Sequence, residues 1–467
     1  MRETVVVQVG QAGNQIGGQL WTEFLKEHET ARFRTNAEAS DALSAFFRIS
    51  RKGGKETLKA RALLVDMECG PLQETMKGPL GALFDDTQFV MDVYGAGNNF
   101  AHGHCEYGPQ YREKFEESLR KIVEHCDSLQ NFIVTHSLGG GTGSGVGTYL
   151  VGLLHDLYPE VYRFSTCVFP SEDDDVVTSP YNSTLASREL IEHADCVLPI
   201  DNHALQSFAD LEATQLSKKK EQKGSQVKEK SKNDKGFDAM NGVAARMLCH
   251  LTASSRFHGE MNVDMNEIST NLIPFPRMNF LMTALSPQRA LPGGALSFKF
   301  NSTTVSPTSN ALKTGLQRAF SDVISRTGQL TSADPSTSGA ITISSAFLAR
   351  GNVRLSDFLG CVTSARGSTL NFPPWNEDAC KIGMCGTAAP GEDMSVLAVY
   401  NSSSFGSVLS RIRSRFNTLF RRKAMLHHYT NFLDVSYILL LNSKLCTNQI
   451  LCNRRSVLLK LKEPSLM

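Results

Sequence analysis

Ser137-Leu138-Gly139-Gly140-Gly141-Thr142-Gly143-Ser144-Gly145 is the stretch on which the reading of this chain turns. Before it, Asn131-Phe-Ile-Val-Thr-His136 is a short apolar run that reads as a buried strand, and after it Val146–Leu157 has helical spacing. Strand, glycine loop and helix together turn backbone N–H groups and a positive helix end toward an anionic phosphate. Five glycines in residues 139–145 leave little side-chain bulk, so phosphate can approach the main chain, and Thr142 and Ser144 add hydroxyl donors. A flexible linker is the rival reading, and the flanking strand and helix argue against it. The string G-x-x-x-x-G-K-S/T does not occur, so this is not the common P-loop. With no lysine in the loop, phosphate charge must be met by backbone amides, the helix dipole and Mg²⁺. No G-x-G-x-x-G with an acidic residue about 20 positions on follows the first strand, which weakens a dehydrogenase reading.

Working outward, strand-like runs lie at 4–9, 62–66, 131–136, 163–169 and 196–200. Each is followed by a loop with glycine, Asp or Asn and then a helical stretch, which predicts a parallel sheet covered on both faces. A ligand then belongs outside the carboxyl ends of the strands. Residues 30–60 are polar and read as a surface excursion. Ser217–Gly236 carries eight lysines against three acids and is expected to form a disordered loop, solvated or meeting an acidic partner. Phe237–Arg256 reads as one long helix with Phe237, Met240, Val243, Ala244, Met247, Leu248 and Leu251 on an apolar stripe. Short strands are expected at Met278–Leu285, Ala340–Ala346 and Ser395–Tyr400.

Composition only bounds the answer. A formal charge of +1 demands neither nucleic acid nor an acidic surface. Eleven scattered cysteines without C-x-x-C, in a chain whose first strand leaves no room for a signal segment, predict a reduced cytoplasmic protein without a metal–thiolate site. No apolar run reaches the roughly 18 residues that suggest a membrane span.

Further motifs follow in order. Val5-Val-Val-Gln-Val9 leads into Gly10-Gln-Ala-Gly-Asn-Gln-Ile-Gly17, then come Asp66-Met-Glu-Cys-Gly70, Gly95-Ala-Gly-Asn-Asn99, Pro180-Tyr-Asn182, Ile200-Asp-Asn202 and Pro274-Phe-Pro-Arg277. With the glycine loop, these resemble the tubulin superfamily of GTPases. Ser171-Glu-Asp-Asp-Asp175 with Thr178-Ser-Pro-Tyr-Asn182, the run Glu192–Asn202, and the lysine-rich insertion are most like the epsilon class.

The resemblance implies an α/β fold. A Rossmann-like parallel-sheet GTPase domain (1–216) carries a lysine-rich insertion (217–236). A core helix (237–256) joins it to a smaller α+β intermediate domain (257–395), followed by C-terminal helices (396–467). It also implies GTP or GDP with Mg²⁺, longitudinal contacts with other tubulin subunits, and centriolar or basal-body partners in the cytoskeleton.

By family position, Gln11, Ala12, Ala96, Gly97, Asn98, Ser137, Gly140, Gly141, Thr142 and Gly143 face the phosphates. Asp66 and Glu68 hold Mg²⁺ through waters, since hard cations take oxygen ligands; role-less surface carboxylates are the rival reading. Asn202 and Asn241 match guanine-binding positions, and an amide offers the donor and acceptor that the base edge needs. Phe237 replaces a stacking Tyr, keeping the ring face without the hydroxyl. Asp175 falls near the ribose, and Ser179 stands where many tubulins place a ribose-binding Glu. Glu267, in Asn262-Val-Asp-Met-Asn-Glu267, resembles the alpha-tubulin residue that aims water at GTP held by the neighbouring subunit.

After Tyr429 the chain departs from the family pattern. Asn431–Met467 has five basic residues and two acids, and an altered transcript end is the expected cause. Two function classes stay open: a GTPase subunit with a shared site, and a structural tubulin that uses nucleotide only to fold.

Overall fold

β-Branched residues decide the first strand. Glu3–Val9 (β1) places Val5, Val7 and Val9 in one core and Val6 in another, so both faces are buried. A strand buried on both sides is the signature of a parallel sheet between helical layers.

The computed structural model describes residues 2–34, 39–52, 55–171, 176–221, 235–257, 259–286, 309–435 and 438. After β1 come Phe47–Lys52 (β2), Lys55–Ala60 (β3), Ala62–Asp66 (β4), Phe89–Met91 (β5), Leu129–Ser137 (β6), Tyr162–Phe169 (β7) and Cys196–Asp201 (β8). The six-stranded sheet runs β5-β4-β1-β6-β7-β8, and every pair in it is parallel. The chain reverses its direction of strand addition at β1, between β4 and β6. That switch point opens a crevice at the carboxyl ends of β1 and β6.

A second sheet is built from Met282–Ser286 (β9), Thr342–Gly351 (β10), Cys380–Cys385 (β11) and Met394–Ser402 (β12), in the order β11-β10-β12-β9. It joins the first at its β8 edge, where Val197 N donates to Asn279 O and Leu281 N to Val197 O, both at 2.8 Å. Both cores continue across this seam: Met282, Ala284 and Phe347 extend one, and Leu281, Leu285 and Ala346 the other.

The strand-like runs of the first sheet are found within a residue or two of the expected bounds; β5 and β11 were not foreseen. The polar excursion over 30–60 is a correction. The first helix runs Gly10–Arg34, a short helix covers Ala39–Ser44, and β2 pairs with β3 as an antiparallel hairpin. Phe46 and Phe47 anchor it against Trp21 and Phe24, with ring centroids 5.4 Å apart for Trp21–Phe47 and 4.6 Å for Phe24–Phe46.

The long helix over 237–256 starts earlier and ends sooner, as Lys235–Leu251; Thr252 interrupts it before Ala253–Arg256. Residues 217–221, expected in a disordered loop, continue the helix Asn202–Glu221. Residues 222–234 of that insertion lie outside the described residues, as do 439–467 of the atypical C-terminal segment. The C-terminal helix is Gly406–Arg421, then a bend, then His427–Thr430.

Candidate nucleotide-binding site

The loops at the carboxyl edge of the first sheet interlock through backbone contacts that only glycine permits. Gly10, at φ +72°, ends β1, and a Cβ there would lie 3.1 Å from the Gly143 nitrogen. A Cβ on Gly141 would stand 2.6 Å from the Asn99 nitrogen and 2.8 Å from Ala96 O. The structure thus brings Gln11 and Ala12, Ala96–Asn98, and Ser137–Gly143 to one crevice.

Gly95, Gly97 and Asn98 all have positive φ (68°, 54° and 51°). These residues turn the backbone tightly, and Gly95 N on Met67 O (2.7 Å) and Asn99 N on Ala96 O (3.0 Å) close the loop. Asn98 is the costly member, because non-glycine residues seldom enter that region. Thr178 Oγ1 (2.9 Å) and Asn182 Nδ2 (2.8 Å) both donate to its carbonyl. From the glycine loop the chain enters a wide turn, Thr142–Val146, and then the helix Gly147–Leu157. Ser144 Oγ bonds back to Gly140 O within that turn.

At the end of β4, Asp66 is buried and Glu68 stands beside it, two residues on. Asp66 Oδ1 accepts from Glu68 N at 3.3 Å, while Oδ2 finds no partner among the described residues. Burial, reinforced by the Glu68 charge, pushes the Asp66 carboxyl up to about 6. A buried, half-partnered carboxylate next to a second one is a donor set that a hard cation would satisfy. The described residues hold no cluster of three or more His, Cys, Asp or Glu, so protein ligands alone do not close a metal cage here. Two carboxylates suit Mg²⁺, which keeps waters and takes phosphate oxygens for its remaining positions. A cleft of about 780 Å³ opens beside them, lined by Gln11, Asn14, Gln15 and Glu68 and by Thr22, Lys26 and Glu74.

Residues 3–236 match the model of the Tubulin/FtsZ family, GTPase domain. The chain is 43% identical over 452 residues to the tubulin epsilon chain of Mus musculus, which covers 92% of this chain and 90% of that relative. The chain belongs to the tubulin family. Identity to the tubulin epsilon chain of Homo sapiens is 42% over 452 residues, with the same coverage. Similarity to the tubulin beta chain of Pyropia yezoensis is lower, 32% over 436 residues, covering 92% of this chain and 87% of that one.

In this tubulin the residues that family position matched to the base lie on two neighbouring helices. Asn241 Nδ2 donates to Gln15 Oε1 at 3.3 Å, which ties the core helix to the first helix beside Gln11. Phe237 precedes Asn241 by one helical turn and is 63% exposed, so its ring face is open. Asn202 opens the helix after β8, which packs on the core helix through the Arg246–Glu212 ion pair at 2.8 Å. Asp175 lies outside the described residues. Ser179 is wholly buried in the first turn of the helix Ser179–His193.

Glu267 stands apart from all of these. It lies in the first turn of the helix Met265–Leu272, whose N-cap Asp264 ion-pairs with Arg2, just before β1. Arg2 marks the amino edge of the sheet, and the nucleotide loops mark the carboxyl edge. The seven residues of β1 separate the two edges by about 20 Å. Within the chain, Glu267 Oε2 pairs with Lys381 Nζ at 2.7 Å.

Sequence reasoning gave no role to two residues that build the site. His136, wholly buried, bonds through Nδ1 to Gly143 O (2.9 Å) and through Nε2 to Ser165 Oγ (2.8 Å). Burial lowers its pKa to about 4, so the neutral ring braces the loop. Asn182, also wholly buried, reaches both the Asn98 and Gly139 carbonyls. Asn182 was visible as part of a motif, but its target loops are 43 and 84 positions away.

Proposed function

We propose that this chain is a GTP-binding tubulin of the epsilon class whose GTP is hydrolysed at a site shared between stacked subunits. The observation that carries this reading is the placement of Glu267 at the sheet edge opposite the nucleotide loops. A carboxylate that far from its own chain's phosphates can act only on nucleotide held by a neighbour.

In this reading Gln11, Ala12, Ala96, Gly97, Asn98, Ser137, Gly140, Gly141, Thr142 and Gly143 hold the phosphates through backbone and side-chain donors. Asn202 and Asn241 take the guanine edge, Phe237 covers its face, and Asp175 is assigned to the ribose by family position. Asp66 and Glu68 would hold Mg²⁺, which when bound offsets charge on the β- and γ-phosphates. Glu267 of one subunit leaves Lys381 and orients water at the γ-phosphate of the next, a task of positioning and charge. The partners are other tubulin subunits stacked longitudinally, with centriolar or basal-body proteins, in the cytoplasmic cytoskeleton. No described helix is long and apolar enough to cross a membrane.

The buried Ser179 favours a second reading, a structural tubulin that keeps nucleotide only as a folding cofactor. Denaturing the purified chain and resolving the released nucleotide tests what both share; stoichiometric GTP or GDP is expected. Turnover measured against protein concentration then separates them. The shared site gives a specific rate that climbs with concentration and is abolished by Glu267→Ala. A flat, near-zero rate in both proteins leaves the structural reading.

A further inference from the structure

The bend between the two C-terminal helices is strained and lies against the nucleotide loops. Lys423 and Met425 both have positive φ, 53° and 54°, in a segment without glycine. Conformations of this kind cost about 1–3 kcal/mol each and persist where surrounding contacts over-determine them. Here the contacts run to residues that carry the phosphate loops. Tyr181 Oη donates to Ala424 O at 2.9 Å, and Asn99 Nδ2 donates to His428 O at 2.9 Å. Tyr429 Oη donates to Asn182 Oδ1 at 2.5 Å. The Tyr429 ring also packs on Tyr181, centroids 5.0 Å apart.

Asn182 is the junction. Its Oδ1 accepts from Phe100 N (2.9 Å) and from Tyr429, and its Nδ2 donates to Asn98 O and Gly139 O (2.8 Å each). All the bonding capacity of the amide is thereby spent. A flipped amide would set donors against the Phe100 N–H and the Tyr429 hydroxyl, and oxygen against two carbonyls, so one orientation alone fits. Burial keeps the Tyr429 phenol protonated, and its single proton goes to Asn182 rather than to Thr178 O, 3.5 Å away. Docking of residues 424–429 and the spacing of the Gly95–Asn99 and Ser137–Gly145 loops therefore share one side chain.

We propose that Tyr429, acting through Asn182, is a positioning residue for the phosphate loops, so that docking of the C-terminal segment governs how fast guanine nucleotide leaves. The proposal rests on the nucleotide reading above. Because coupling free energies are reciprocal, bound nucleotide must in turn hold the C-terminal segment down. The segment thus links nucleotide occupancy to an outer surface of the molecule.

The test begins with the full-length wild-type protein. Backbone hydrogen exchange is followed at 139–145 and at 424–432, with GDP and after its removal. GDP is expected to slow exchange in both regions. Slowing at 139–145 alone would overturn the coupling while leaving the nucleotide reading intact. Slowing in neither would overturn both. Release of a fluorescent GDP analogue is then timed for Tyr429→Phe, Asn182→Ser and the double variant. Tyr429→Phe is expected to release it roughly three- to tenfold faster, the scale of one hydrogen bond, Asn182→Ser, which removes the amide's other three bonds as well, faster still, and the double variant no faster than Asn182→Ser. Unchanged release beside a lowered unfolding midpoint, or effects that multiply in the double variant, would reduce Tyr429 to a packing residue. Should a variant fail to fold, the wild-type exchange result still decides the matter.

Discussion

His136 shows how much one side chain can do beneath a loop that has almost none. Its ring lies under the glycine loop, bonded to Gly143 O and Ser165 Oγ, so its removal takes a partner from each of two buried polar groups. His136→Ala is expected to cost about 1–3 kcal/mol, the penalty for such a loss, and to weaken nucleotide retention as well. The pH dependence follows from its lowered pKa. The unfolded ring takes up a proton below 6.5, whereas the folded one resists until about 4. Its contribution is present in full above pH 6.5 and is lost as pH falls from 6.5 toward 4. A urea-unfolding series across that range should be flatter for His136→Gln than for wild type; equal slopes would show that another group titrates. Asp66 Oδ2, buried and without a partner among the described residues, is poised for a cation. EDTA should speed nucleotide loss markedly in wild type and hardly at all in Asp66→Asn; equal acceleration in both would remove Asp66 from the Mg²⁺ site.

The elements that matter are the turns at the carboxyl edge, held together by backbone touching backbone. Gly141 sits where a methyl would strike Asn99 N, Ala96 O and the Ala96 methyl, two of them main-chain atoms that cannot swing away. Gly141→Ala should push the Gly95–Asn99 loop from the glycine loop, at the about 1–3 kcal/mol typical of overpacking. The nucleotide recovered from the purified variant should drop well below stoichiometric while the helical circular dichroism is kept. A full complement of nucleotide would mean that the two loops are not jointly required. The hairpin β2–β3 makes the converse point about legibility. It read as polar excursion because, among the described side chains, Phe46, Phe47 and Ala60 are buried in the core with Leu58 packed beside them, too few for a local period to reveal.

At the scale of the whole molecule, the joint between the two sheets rests on a buried ionic cluster. Glu27 of the first helix meets Arg256, beyond the core helix, at 2.6 Å and Arg350, on β10, at 2.9 Å. Arg256 also stacks on Phe24 at 4.3 Å and Phe257 at 5.0 Å. Burial by itself would raise the Glu27 carboxyl, but the two guanidiniums outweigh it and hold the group at about 2. A depressed acid stabilises the fold above its unfolded pKa, here 4.5, and the benefit disappears as pH falls from 4.5 toward 2. Glu27→Gln leaves two buried cations without a counter-charge and is expected to cost about 3–5 kcal/mol. The denaturant midpoint at pH 7 checks the cost, and the variant should lose less stability than wild type between pH 4.5 and 3. A variant as stable as wild type at pH 7 would mean that the cluster does not brace the joint.

The α/β class, five of the six strands of the parallel sheet and the glycine loops that follow them were legible in the amino-acid sequence. Each depends on local requirements: both-face burial writes continuous apolar runs, and close backbone approach writes glycine. Family position also pointed to Asn241, which the structure ties to Gln15 of the first helix. What the tertiary structure alone decided are the partners. His136 and Ser165, Asn182 with Asn98, Gly139 and Tyr429, and Glu27 with Arg256 and Arg350 are joined by folding across 29 to 323 positions. So is the separation of Glu267 from its own chain's loops. A polar side chain in a sequence carries its bonding capacity but not its address; the packing of helices on the two sheets supplies that.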